Sequence, residues 1–79
     1  MKITFTLTQV DKGISYDIQA DSTQKISDTL HVLKDNLPVF ADISLENSVI
    51  EADSGRKIQI GDTYEQARIY SGAQLLIKA

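Results

Sequence analysis

The sequence predicts an α+β domain in which a mixed sheet of four to five strands packs on one helix. Three observations carry that expectation. Two successive stretches place apolar residues at every second position, one stretch carries an apolar stripe at helical spacing, and a C-terminal block joins a capped turn, a glycine bend and a last alternating strand. A chain of 79 residues supports a single domain over 1–79. A domain of that size buries only about 60% or a little more of the surface its unfolded chain exposes. With no cysteine, its core must hold the fold without a disulfide.

The elements follow in order. Ile3, Phe5 and Leu7 alternate with Thr4, Thr6 and Thr8, the pattern of a strand with one buried and one solvated face. β-Branched threonine suits the solvated side. Asp11-Lys12-Gly13 supplies a turn, and Ile14, Tyr16, Ile18 and Ala20 then alternate again, completing an N-terminal hairpin. At Asp21-Ser22 the period changes. Ile26, Leu30, Leu33 and Leu37 stand at i, i+4, i+7 and i+11, a narrow helical stripe that leaves Lys25, Ser27, Asp28, His31, Lys34 and Asp35 off it. Ser22 is the expected N-cap, so the helix should run from about Thr23 to Leu37. Pro38 ends it, because the residue before a proline is pushed out of the α region.

From Pro38 to Asn47 the apolar residues Val39, Phe40, Ile43 and Leu45 follow neither period, which predicts a partly packed connection. Ser48 to Ala52 reads as a short strand, Asp53-Ser54-Gly55 as a turn, and Arg56 to Ile60 as the returning strand, with Ile58 and Ile60 on one face. Gly61-Asp62 breaks it. In the closing block Thr63-x-x-Gln66 forms a capping box, Tyr64, Ala67 and Ile69 point apolar groups inward, and Gly72 permits the bend before the last strand. A hairpin, one helix, further strands and a final strand leave the helix to bury one sheet face, with the first and last strands adjacent and parallel. That is the β-grasp plan. A ferredoxin-like arrangement would need a second full helix, and Thr63 to Ala67 is too short to be one.

Composition and motifs exclude more functions than they suggest. A net charge of −3 and a pI near 4.8 argue against a nucleic-acid partner, since phosphate binding needs clustered Lys and Arg and only Arg56-Lys57 are adjacent. The first residues alternate where a signal peptide would be continuously apolar, and no stretch is long enough to insert in a membrane, so a cytoplasmic protein is expected. His31 is the sole histidine and lies off the apolar stripe, so it makes no catalytic pair; with Asp28 at i, i+3 it is placed for a weak surface contact. The aspartates fall at predicted turns and strand ends without calcium-loop spacing, and no phosphate-cradling glycine motif occurs. No catalytic residue, metal ligand or cofactor is expected.

The closing block, Ile69-x-x-Gly72-x-x-Leu75-x-Ile77, resembles the end of ubiquitin-like domains. Taken with the length, the start directly at the first strand, the helix ending at Leu37 and the absence of a terminal glycine pair, the chain is similar over essentially its whole length to the YukD/EsaB family. These are small proteins that accompany type VII (WXG100) secretion systems of Gram-positive bacteria. Family members often carry Gly-Asp in the last bend; here it is Ser71-Gly72-Ala73. The resemblance implies a non-enzymatic accessory protein acting beside the cytosolic parts of the secretion channel or its ATPase, peripheral to the inner face of the membrane through those partners. A sulfur carrier or protein modifier is a different class, and the ending at Lys78-Ala79 speaks against it. A ubiquitin-like adaptor for another machine stays open.

Ubiquitin-like domains commonly bind partners on the sheet face opposite the helix. If Val49, Leu75 and Ile77 point inward, Ile50 and Leu76 point outward on neighbouring strands, flanked by Thr4, Thr6 and Lys78. Ile50, Leu76, Thr6 and Lys78 are therefore the candidate partner-binding residues. Tyr70, beside the last bend, is a second candidate.

Overall fold

The threonine and apolar alternation becomes β1, Lys2–Gln9, with Ile3, Phe5, Leu7 and Gln9 turned inward. In the computed structural model, which describes residues 1–45 and 48–78, β1 pairs antiparallel with β2, Ile14–Asp21, from Lys2 opposite Asp21 to Gln9 opposite Ile14. Gly13 takes φ 65° in the turn between them. Gln9 is buried because it works there: its Oε1 accepts the amides of Asp11 at 2.7 Å and Lys12 at 3.2 Å.

Helix α1 spans Ile26–Asn36 and starts later than the sequence predicts. Ser22 is not its N-cap. Asp21 Oδ1 accepts the Thr23 amide and hydroxyl at 3.0 and 2.7 Å, and the Gln24 amide bonds the Asp21 carbonyl, so this stretch closes a turn of its own. Those bonds hold the Asp21 carboxyl below its usual range, the Thr23 amide contributing most. The cap position falls to Lys25, which offers no side-chain cap; instead the amides of Ile26 and Ser27 donate to the carbonyls of Asp62 and Ile60 at 3.0 and 2.8 Å. The C-terminus ends as predicted, with Leu37 extended before Pro38.

Pro38–Phe40 is a 3₁₀ turn, and the stretch after it is better packed than expected: Phe40 and Ile43 are both fully buried. They show no period because successive tight turns, one of them closed by the Ile43 amide on the Phe40 carbonyl, place them in the core in the absence of a regular element. Lys34 fixes the path by donating from Nζ to the Ile43 carbonyl at 2.8 Å. Residues 46 and 47, where the expected connection ends, and Ala79 lie outside the described residues.

Strands β3, Val49–Glu51, and β4, Lys57–Ile58, are shorter than the sequence predicts. β4 stops early because the backbone beyond it is engaged elsewhere, Gln59 closing a turn with Asp62 and Ile60 accepting the helix amide. The capping box forms in full: Thr63 donates its amide to Gln66 Oε1 at 2.9 Å, and Gln66 donates its own to Thr63 Oγ1 at 3.0 Å. The turn closes through Arg68 in the left-handed region, at φ 59°. After Gly72, at φ 93°, β5, Gln74–Ile77, runs parallel to β1.

The sheet order is β2-β1-β5-β3-β4, with every other pairing antiparallel. Its helix-facing side supplies Phe5, Leu7, Val49, Leu75 and Ile77 to a core completed by Leu30, Phe40, Ile43 and Tyr64. The Phe5 and Tyr64 rings lie 5.2 Å apart. Burial pushes the Tyr64 phenol up to about 12; the Thr29 side chain offsets a little of that push and the Asp28 carboxylate adds to it. The hydroxyl is enclosed without a hydrogen bond of good geometry. Among the described residues no helix is long and apolar enough to cross a membrane.

Candidate partner-binding face

The helix covers one face of the sheet, and the other carries the residues left by the alternation. On β5, Leu75 and Ile77 are buried, so Leu76 between them faces away from the helix. On β3, Val49 is buried against Ile58 of β4, which turns Ile50 outward as well. Register makes the two neighbours: Ile50 is the direct cross-strand partner of Leu76. Such a pair on one face of an antiparallel ladder places the side chains within contact reach. Both are half-buried, where the sequence predicts open exposure.

What surrounds the pair differs from the sequence reading. The parallel pairing of β1 with β5 sets Thr8 beside Leu76, and the antiparallel pairing of β3 with β4 sets Lys57 beside Ile50. A row of Ser15, Thr8, Leu76, Ile50 and Lys57 thus crosses all five strands. Thr8 and Lys57 escape sequence reasoning because alternation assigns a face, whereas only register assigns a neighbour. Thr6 stands one row away, beside Gln74, and its hydroxyl donates to Asp17 Oδ1 at 3.0 Å. Lys78 follows the end of β5, exposed. Tyr70 is half exposed at the opposite end of the same segment, before the bend.

Backbone bonds hold β5 rigidly against β1. The Thr6 amide reaches Ala73, the Val10 amide reaches Ile77, and the Gly72 amide reaches Thr4, all within 3.0 Å. Lys57 and Lys78 border the aliphatic pair, while at the far side Asp17 and Asp21 lie on β2, Asp21 standing opposite Lys2 and 3.6 Å from the Met1 amino group. Arg56 does not join the lysines: its Nη2 donates to the Ala67 carbonyl at 2.7 Å and pairs with Glu51 at 3.3 Å. Hydrogen bonds from Ser54 and then Arg56 hold the Glu51 carboxyl below its usual range. Among the described residues, no three His, Asp or Glu side chains gather as metal ligands.

A solved structure with the same architecture is a de novo design based on ubiquitin. It matches with a TM-score of 0.71 over 98% of this chain and 87% of that chain, at 19% identity. The fold is ubiquitin-like. No protein-family model matches the chain, and no curated protein matches it. Within the ubiquitin-like sheet, the face away from the helix is the surface on which an aliphatic pair and two cations converge. It can offer a partner apolar contact and charge pairing.

Proposed function

We propose that the chain is a non-enzymatic protein-interaction module whose binding face centres on Ile50 and Leu76. The observation that carries this reading is their direct cross-strand pairing beside Lys57, with Lys78 following β5. An apolar pair with a cationic border suits a partner surface that presents an apolar group ringed by acidic side chains. The similarity to the YukD/EsaB family, through Ile69-x-x-Gly72-x-x-Leu75-x-Ile77, directs the reading to a cytoplasmic accessory role beside a type VII secretion channel or its ATPase.

The test is a titration of the cytosolic parts of that channel and ATPase with the protein and with an Ile50→Asp, Leu76→Asp variant. Carboxylates placed against an apolar surface are desolvated unfavourably, so binding should fall about thirtyfold, the scale of a 2 kcal/mol anchor. Circular dichroism of the same variant checks the fold, and an Ile50→Thr, Leu76→Thr pair repeats the test with residues that favour strands. Undiminished binding by folded variants would remove this face.

A further inference from the structure

The two edges of the sheet are unlike. β4 offers only Lys57–Ile58, with Arg56 before it tied to Ala67 and Glu51. β2 presents a regular strand from Ile14 to Asp21, paired with β1 along its full length and lying outermost in the sheet. Natural edges are blunted by charged side chains, lysine above all, by proline, by a bulge or by brevity. β2 has no lysine, proline or bulge: its sequence is Ile-Ser-Tyr-Asp-Ile-Gln-Ala-Asp, its register is unbroken, and the charges it carries are those of Asp17 and Asp21.

The hydrogen-bond parity shows which groups are left over. The Ser22 amide bonds the Met1 carbonyl, so the facing pairs that exchange bonds are those of Ile3 with Ala20, Phe5 with Ile18, Leu7 with Tyr16 and Gln9 with Ile14. The backbone groups of Ser15, Asp17 and Gln19 therefore point outward, away from β1. None of them has a partner among the described residues. Beside them on the helix side of the strand, Ile14 and Tyr16 are 38% and 36% exposed, and Phe40 braces the Tyr16 ring at 5.6 Å. On the other side Asp17 is exposed, accepts the Thr6 hydroxyl at Oδ1 and makes no ion pair with the described residues.

We propose that the free edge of β2 receives an extended segment of a partner protein in which apolar residues alternate with Lys or Arg. The added strand would take the amides and carbonyls of Ser15, Asp17 and Gln19. Its alternation would then set apolar side chains beside Ile14 and Tyr16 and cations beside Asp17. A second copy of this chain is the wrong occupant: antiparallel pairing of β2 with itself through Ser15, Asp17 and Gln19 sets the two Asp17 carboxylates against each other, in a chain already at −3. This surface is separate from the Ile50 and Leu76 face, so either can fail alone.

The probe is a blocked peptide of alternating Lys and Val, titrated into the isotope-labelled protein, with a Glu and Val peptide as its counterpart. The Lys peptide should slow amide hydrogen exchange at Ser15, Asp17 and Gln19, and the Glu peptide should bind at least about tenfold more weakly. Gln19→Pro removes an N–H that faces outward while sparing the ladder to β1, so this variant should stay folded and lose the peptide. Asp17→Lys should reverse the preference between the two peptides, although the chain as a whole stays negative. The proposal is overturned if protection appears around Ile50 and Leu76 instead, if folded Gln19→Pro binds as before, or if both peptides bind equally. It is also overturned if the protein alone dimerises with the same three amides protected.

Discussion

Eight facing pairs hold the β1–β2 hairpin, whereas two hold β3 to β4 and the described residues between Pro38 and Ala73 are mostly turns and irregular chain. Yet both regions bury side chains completely: Phe5 and Leu7 in the first, Phe40, Ile43 and Tyr64 in the second. The hairpin keeps its shape through a repeating ladder. The second region keeps it through single bonds that span gaps in sequence, such as Lys34 to Ile43, Arg56 to Ala67 and the amides of Ile26 and Ser27 to Asp62 and Ile60. Irregular chain can thus be core when each anchor is tied separately. The cost is that each tie is individually vulnerable.

The strongest test of that contrast is Phe40→Ala. If the irregular region is true core, the variant should lose about 3 to 5 kcal/mol in chemical denaturation. A loss under about 1 kcal/mol would reduce the region to a cover over the hairpin and helix.

A second test uses Tyr64. Its phenol ionises near 10.0 in the unfolded chain and near about 12 when buried, so the fold favours the neutral form. The resulting stability is complete below pH 10.0 and drains away as pH rises toward about 12, by roughly 2 to 3 kcal/mol in all. Urea denaturation across alkaline pH should show that decline. Tyr64→Phe should abolish the decline while changing neutral-pH stability by no more than about 1 kcal/mol, because among the described residues the hydroxyl has no hydrogen bond of good geometry to lose. A decline that persists in the variant would place its origin elsewhere.

The smallest effect belongs to a single tie. Arg56→Ala should cost about 1 to 2 kcal/mol, discounted for the partial exposure of the guanidinium. Arg56→Lys should restore little, since both bonds leave Nη2 at the far end of the guanidinium and the shorter lysine side chain does not carry its ammonium to that point. Hydrogen exchange should quicken around Ala67 and leave the hairpin unchanged. Equal quickening in both regions would mean that they do not hold independently.

The same contrast explains what could be read in advance. Period two in Ile3, Phe5 and Leu7 and helical spacing in Ile26, Leu30 and Leu33 reflect regular elements that each bury one face, and Thr63-x-x-Gln66 is a local contact between near neighbours. All three were legible. The helix start was not, because its first amides are satisfied by carbonyls of residues 60 and 62, far along the chain, while Ser22 only looked like a cap. Phe40 and Ile43 left no period to detect. At the candidate face, alternation turned Ile50 and Leu76 to one side, but Thr8 and Lys57 depended on register and the free edge of β2 on strand order. Neither property is written in local spacing.

Pairing of the first strand with the last has a consequence for synthesis. As the chain leaves the ribosome, β1 and β2 appear early, yet the Thr6 and Val10 amides must wait for the carbonyls of Ala73 and Ile77. The opening amides of α1 wait for Asp62 and Ile60 in the same way. A nascent chain holding only the hairpin and helix has an unfilled slot along one side of β1, and long-range closures of this kind come late and slowly. Closure of the sheet therefore waits until β5 has emerged and enters the slot between β1 and β3.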